Sequence, residues 1–561
     1  MIYNLYLNFI KENKFLYLIY LVTLIYIPIN KVGLPHFYGK LLGIIKDNNL
    51  NQLKTTFILL IIIWLSIQLL HIVSNYINSI LMPKFQSYVR NHMINEIIDR
   101  YQNDYQELKL GEIITKIIKS PDVLQEVFVM IKDFIFKNIL IIVSSFIYLY
   151  RYNANLGLIY LVCMGVIFII SLLYVNDCKK YIKISETNFD NTHEEIEDTL
   201  SNLLSIYTSL KTKDEKKRLE KLNIQTYKSE NKVEKCNNKY RLVYSVSFII
   251  VFIILNFYTY ILFSNKQIKL SELTSIFIIN YSILNSLMII YYDTNDFIDT
   301  KTKIEMLINF LNKLPKVSKF KTKKIDKNKD ITIRIKKLNF SYNKNKKIFN
   351  NLNLDILSKQ KIVILGNIGS GKSTLGKLLV RLQDYESGDI YINDINLKEL
   401  SIDELRKVVT YIPQHPKLFN RTLYENITYG LNKITPEYII QILKNMDLND
   451  LIPDFERLMH ESVGKGGSYL SGGQRQIVWL IRSLLKDNKI VILDEPTSSL
   501  DSVNKNKVIK LINELGKTKT IILITHDLEL VKHCDRMIVL SYGKIIKDKN
   551  IKEKSFNNNN E

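Results

Sequence analysis

Apolar residues are unevenly distributed along the 561-residue chain. In roughly its first three hundred positions they gather into runs with few or no charges: Phe15–Asn30, Phe57–Val73, Asn138–Tyr150, Tyr152–Asn176, Leu242–Asn265 and Thr274–Tyr292. A helix crosses the ~30 Å hydrocarbon layer in ~20 residues. Several runs approach or pass that length, and flanks such as Val32–Tyr38 and Phe134–Phe136 extend the shorter ones. A soluble protein could not bury six such helices in so short a stretch, so the pattern predicts an all-α membrane domain of six transmembrane helices. Two of the intervening loops are long, Met82–Lys132 and Asp177–Arg241, and both have few prolines and glycines. Each reads as a pair of helices of ~25 residues going out and back, reaching roughly 37 Å beyond the bilayer. The long loops are lysine-rich, which puts them on the cytoplasmic side.

The pattern changes across Lys316–Asp330, a lysine-rich stretch poor in large apolar residues. Beyond it come short apolar runs typical of buried strands: Lys361–Leu365, Ile490–Asp494 and Ile521–Thr525. Thr374–Val380 reads as a helix. The expected organisation is a membrane domain over 1–315, a linker over 316–330, an α/β domain over 331–548 and a disordered tail over 549–561 with its Asn557–Asn560 run.

Composition changes this picture little. The formal charge of +22 is spread over the expected cytoplasmic loops and linker. Attraction to anionic lipid head groups accounts for it, and no nucleic-acid partner is expected. The four cysteines, Cys163, Cys178, Cys236 and Cys534, show no paired spacing, so neither a disulfide framework nor a zinc site is expected. Lys11 and Lys14 precede an apolar run, but no small-residue cleavage site follows, and no cleaved signal peptide is expected. Ala154 is the only alanine among abundant Ile, Lys, Asn and Tyr, which weakens arguments from residue preference.

The chemistry lies in the second half. Gly366-Asn-Ile-Gly-Ser-Gly-Lys-Ser-Thr374 fits G-x-x-x-x-G-K-[ST] and sits between an expected strand and helix. That context identifies a phosphate loop, whose backbone N–H groups and helix N-terminus attract phosphate oxygens. Gly366, Asn367, Gly369, Ser370, Gly371 and Thr374 form the cradle. Lys372 should reach the β- and γ-phosphates, and Ser373 should hold Mg²⁺. Ile490–Asp494 ends in two carboxylates, Asp494 and Glu495, and Ile521–Thr525 ends at His526.

About a hundred residues after the phosphate loop comes Leu470-Ser-Gly-Gly-Gln474. The two motifs in this order resemble the ABC transporter family, and six spans followed by one cassette resemble its exporter half-transporters. The resemblance covers nearly the whole chain and is strongest in the cassette. It implies ATP and Mg²⁺ as ligands, with Asp494 on the metal, Glu495 as general base and His526 sensing the γ-phosphate. It implies that Gln414, in Tyr-Ile-Pro-Gln, contacts Mg²⁺, and that Tyr342 stacks on adenine, although an aromatic there also suits a core. Ser471, Gly472, Gly473 and Gln474 would close over ATP held by a second cassette, so a second half-transporter is required, most simply an identical one. Ser499-Leu-Asp501 matches the loop that crosses the cassette dimer. Leu110-Gly111-Glu112 resembles the first coupling-helix region, and Ser201–Thr208 lies where the second would sit. In one departure, Lys465 replaces the acidic residue usual before the signature.

The implied activity is an ATPase coupled to transport across a lipid bilayer. An ATP-gated channel or regulator and a metal-chelate importer remain alternatives on the same scaffold. Small-molecule, lipid and peptide cargo all stay open, as does the membrane. On the last span Ser275, Ser282, Asn285 and Ser286 share one face, with Tyr281 and Tyr292 at its edge, opposite Ile276, Phe277, Ile283 and Leu287. By resemblance this stripe lines the cargo path. The alternative, that it only bonds neighbouring helices, stands equally. The absence of charge over Thr274–Tyr292 favours neutral or amphiphilic cargo.

Overall fold

The computed structural model describes the chain except for Met1 and residues 47–49, 103–109, 315–322, 344–345, 432, 447–451, 453–454, 499 and 552–561. Residues 316–322 of the expected linker, Ser499 and residues 552–561 of the expected tail therefore lie outside the described residues, as do the side chains of Leu110 and Glu112. The chain divides into two compact units, Met1–Ile97 with Leu108–Leu314, and Ile98–Glu107 with Pro315–Glu561.

The first unit is helical. Its longest elements are Leu50–Arg100 (51 residues), Ala154–Ser201 (48), Thr212–Ser264 (53) and Leu270–Lys313 (44). At 1.5 Å per residue the first spans roughly 77 Å, far more than a bilayer, so apolar span and polar extension are one uninterrupted helix. Among the described residues four stretches are long and apolar enough to cross a membrane: Lys14–Ile45, Leu50–Arg100, Ala154–Ser201 and Thr212–Ser264. The other two expected spans are not among them: Lys137–Tyr152 is a 16-residue helix entered through a π-helical turn, and in the last helix the apolar stretch among the described residues is Leu270–Ile283.

Ala154–Ser201 and Thr212–Ser264 pair as an antiparallel hairpin about the short helix Leu203–Thr208. The first buries Tyr160, Met164, Ile167, Ser171, Tyr174 and Cys178; the second buries Tyr240, Tyr244, Phe248, Val251 and Leu255. These three- and four-residue steps make the continuous seam that packed helices need. Polar atoms tie it: Ser171 Oγ and the Tyr244 hydroxyl lie 2.6 Å apart, and the Tyr174 hydroxyl is 2.9 Å from Asn237 Oδ1 and Asn295 Oδ1. Contrary to the sequence expectation, two cysteines pair here. Cys178 and Cys236 form a disulfide with Cα atoms 5.9 Å apart, while Cys163 and Cys534 are free and buried.

The helix Leu34–Lys46 crosses Leu270–Lys313 closely. A Cβ on Gly39 would stand 2.6 Å from Ser275 N and 2.7 Å from Ser275 Cα, and one on Gly43 would stand 2.7 Å from Ser271 Cβ. Four-residue spacing of small residues on both helices is how backbones approach in a membrane. Ser275 is thus part of this seam, 3% exposed and donating to Ser271 O at 2.9 Å, not part of a cargo-facing stripe. Ile276 and Ile283 pack in the core, Asn285 and Tyr281 are exposed, and Ser282 is half-buried. The side chains of Ser286 and Leu287 lie outside the described residues.

The second unit is α/β. Its antiparallel sheet has the order β2-β1-β4-β5, from β1 (Ile333–Asn343), β2 (Lys346–Ile356), β4 (Ser387–Ile392) and β5 (Ile395–Asn396). The larger sheet has the order β10-β9-β3-β8-β7-β6, from β3 (Lys361–Leu365), β6 (Val409–Ile412), β7 (Ile490–Asp494), β8 (Thr520–Ile524), β9 (Arg536–Ser541) and β10 (Lys544–Asn550). All of its neighbours are parallel except β9 and β10. β7 and β8 are buried throughout, as strands with both faces covered must be. Lys323–Asp330 packs on this unit: Lys323 pairs with Leu400, and Ile325 joins the apolar core.

Candidate functional site

The carboxyl ends of β3, β7 and β8 lie side by side, and parallel α/β sheets bind ligands at that edge. β3 runs into the glycine loop, whose last glycine, Gly371, has φ +100° and caps the helix Lys372–Leu379. A side chain there would be strained, and its Cβ would stand 2.9 Å from Phe349 Cε1. The Lys372 ammonium folds back over the loop, donating to the carbonyls of Gly366 at 2.7 Å and Asn367 at 3.1 Å. Thr374 Oγ1 lies 3.1 Å from the Tyr342 hydroxyl, so the expected adenine platform, half-exposed at the end of β1, is anchored beside the phosphate loop.

Ser373 Oγ donates to Asp494 Oδ1 at 3.0 Å, and the Tyr411 hydroxyl donates to Oδ2 at 2.7 Å. Asp494 is 4% exposed, and burial holds its carboxyl above the usual range in spite of those two bonds. A buried carboxylate beside a serine hydroxyl is a hard-oxygen pair of the kind Mg²⁺ takes. These residues fit that ion.

Glu495 follows in left-handed conformation at φ +48°, rare for a residue with a side chain. Several bonds hold it there. Its N–H donates to Ile524 O at 2.8 Å, its Oε2 accepts from Thr525 Oγ1 at 3.1 Å, and its Oε1 lies 2.9 Å from His526 Nδ1. His526 itself is largely exposed. Gln414 is exposed on the loop after β6, and its carbonyl accepts from the Gln476 amide at 3.1 Å.

The signature opens the helix Gly472–Leu485. Ser471 caps it through a reciprocal pair: Ser471 Oγ accepts from Gln474 N at 3.2 Å, and Gln474 Oε1 accepts from Ser471 N at 2.7 Å. Ser471 is exposed, Gly472 half-buried and Gly473 buried, so the helix N-terminus offers its free N–H groups outward. Lys465 is exposed in the turn before it.

The structure therefore gathers Lys372, Ser373, Asp494, Glu495 and His526 at one sheet edge. Tyr411, Thr525 and Gln476 were missed in the sequence. Gln476 left a trace there, as an amide directly before the apolar stretch Ile477–Ile481.

Comparison with known proteins bears on the same residues. The family model described as ABC transporter transmembrane region matches residues 17–287, and that described as ABC transporter matches 349–498. The chain belongs to the ABC transporter family. It is an exporter-type half-transporter, an integral membrane protein with one ATP-binding, ATPase domain. It is 25% identical over 552 residues to an export ATP-binding/permease protein of Rickettsia typhi, covering 96% of this chain and 94% of that one. It is 35% identical over 216 residues to the mitochondrial iron-sulfur clusters transporter ABCB7 of Oryzias latipes, covering 38% of this chain and 29% of that one. The structure of a bacterial Atm1-family ABC exporter with ATP bound superimposes with a TM-score of 0.85, at 16% identity, over 97% of this chain and 95% of that one. The fold is thus the exporter fold, a helical membrane domain with an α/β nucleotide-binding domain.

Proposed function

We propose that two identical copies of this half-transporter pair and export cargo by alternating access, driven by ATP hydrolysis between their cassettes. Each ATP would lie between the phosphate loop of one copy and Ser471–Gln474 of the other. The observation that carries the reading is the gathering of Ser373, Asp494, Glu495 and His526 at one sheet edge, in a chain with one phosphate loop and one signature. Lys372 would leave the Gly366 and Asn367 carbonyls for the β- and γ-phosphates, and the N–H groups of Gly369, Ser370, Gly371 and Thr374 would wrap the oxygens. Tyr342 would carry the adenine. Ser373 and Asp494, with Gln414 from its loop, would hold Mg²⁺, which supplies charge neutralisation on the phosphates when bound. Glu495, steadied by Thr525 and His526, would take the proton of the attacking water. Lys137–Tyr152 and the Thr274–Tyr292 part of the last helix would complete six spans in the bilayer.

For cargo, the uncharged Thr274–Tyr292 segment supports a neutral or amphiphilic compound, whether a small molecule, a lipid or a peptide. The test is MgATP turnover by the purified chain in lipid vesicles, with and without Lys372→Ala, and a mass measurement in detergent. Turnover by a dimer, lost in the variant, is expected. A strictly monomeric protein without turnover would overturn the reading.

A further inference from the structure

The inward face of the signature helix is apolar, with Ile477, Val478, Leu480 and Ile481 all buried. Among them sits the Gln476 amide, 2% exposed. Its nitrogen lies 3.1 Å from the Gln414 carbonyl and 3.2 Å from the Glu495 carbonyl. Both partners are acceptors only, so the NH₂ end must face them. The price is Oε1, which is buried without a hydrogen-bond partner among the described residues. An apolar side chain of the same volume would leave no such orphan. The two carbonyl bonds are what this position gains from a glutamine.

These bonds join three parts of the site. Gln476 lies five residues after Ser471, or about 7.5 Å along the same helix. Gln414 is on the loop after β6, and Glu495 is the strained turn after β7. The other ties on Glu495 come from Ile524, Thr525 and His526 along one strand end and from Ser498 in its own turn. Gln476 alone among these ties comes from the signature helix.

We propose that Gln476 is a positioning residue that couples the signature to the hydrolytic site of its own cassette. Phosphate held by Ser471–Gln474 displaces or steadies the helix, and Gln476 passes that change to the backbone of Glu495 and the loop of Gln414. Occupancy of one ATP site thereby sets the base of the other, and the two sites hydrolyse cooperatively. The inference rests on the paired-site reading above.

The test uses the full chain in lipid vesicles and three readouts: kcat, KM and Hill coefficient for MgATP. Gln476→Met keeps length and volume and removes the donor. Its kcat should fall about 10- to 100-fold, the cost of a small misplacement of a reacting group. ATP affinity without Mg²⁺ should stay within about threefold, because the phosphate loop and Tyr342 are untouched, and KM for MgATP should move less than kcat. The Hill coefficient should fall toward 1 from a wild-type value above it. Gln476→Glu provides a second route: a protonated carboxyl regains one donor and an ionised one does not. Its activity relative to wild type should therefore rise as pH falls, wild type being the reference because Asp494, Glu495 and His526 lie at the same site. If the Met variant does not fold, the Glu ratio decides. Wild-type turnover with a Met variant within about twofold of it, or with a pH-independent Glu ratio, would overturn the inference alone. A wild type without any ATP turnover would overturn the paired-site reading and this inference with it.

Discussion

Glu495→Gln separates chemistry from structure at this site, because the geometry around the carboxylate tolerates an amide. Among the described residues Oε1 and Oε2 engage His526 Nδ1 and Thr525 Oγ1, at 2.9 and 3.1 Å. A glutamine can accept from Thr525 through its oxygen and donate to an unprotonated Nδ1 through its nitrogen. The left-handed backbone at φ +48° keeps its own tie to Ile524. The cost to the fold is at most the difference between a charge-assisted and a neutral hydrogen bond, about 1 kcal/mol. The phosphate loop and the Ser373–Asp494 pair are unchanged, so ATP should bind as before. Loss of the base, in contrast, removes at least ~10²-fold in rate, about 2.7 kcal/mol of barrier. Phosphate release in lipid vesicles should fall by that factor or more, while melting shifts by a few degrees at most. ATP-dependent dimer should accumulate, since closure no longer ends in hydrolysis. Turnover within about fivefold of wild type would refute the role given to Glu495. Lost ATP affinity would refute the argument that the amide is structurally neutral.

Three further outcomes follow from other parts of the molecule. Burial holds the Asp494 carboxyl above its ordinary range, so the folded cassette keeps that proton to higher pH than the unfolded chain, and this group's contribution to stability falls as pH rises through the interval. The melting temperature of Asp494→Asn relative to wild type should accordingly climb from about pH 4 upward, starting near the unfolded carboxyl value, and Mg²⁺ should narrow the gap; a gap that shrinks with pH would contradict the assignment. Gly39→Leu must push the Leu34–Lys46 and Leu270–Lys313 helices apart and should destabilise by at least ~1–3 kcal/mol in thermal melts, whereas Gly33→Ala, whose Cβ would meet only Ile29 Cγ2 at 3.7 Å, should be tolerated. In protein purified without reductant, maleimide should label Cys178 and Cys236 only after reduction; labelling beforehand would show that the pair is not joined.

What could be read from the sequence is what is local in it. The phosphate loop, the two carboxylates after β7 and the capped signature are short segments whose chemistry needs no partner from elsewhere. The helical membrane domain was legible as well, because apolar runs of span length have few alternatives. What escaped depends on residues far apart in the chain. Tyr411 reaches Asp494 only because β6 and β7 are neighbours in the sheet, and Gln476 reaches Glu495 only because its helix shares an apolar cluster with Val491 and Leu493 of β7. Cys178 and Cys236 stand 58 residues apart and meet because they lie 23 and 24 residues from the helix ends at Ser201 and Thr212 that flank the hairpin turn. Ser275 has the polarity of a cavity residue, yet its place is fixed by Gly39 on another helix. Helical periodicity puts residues on a face and does not say what that face meets.

The central claim, an ATP molecule shared between two copies, is tested most directly by a cross-link. Ile368 stands fully exposed at the tip of the phosphate loop, and Tyr469 is exposed two residues before the signature serine. Cysteines at both positions, in a variant with Cys163, Cys178, Cys236 and Cys534 replaced, can be joined by a short bifunctional maleimide in the vesicle-bound protein. With MgATP the product should run at twice the monomer mass, and Lys372→Ala should abolish it. Cross-linking that ignores ATP, or that joins only the two sites of a single chain, would contradict the shared-site account.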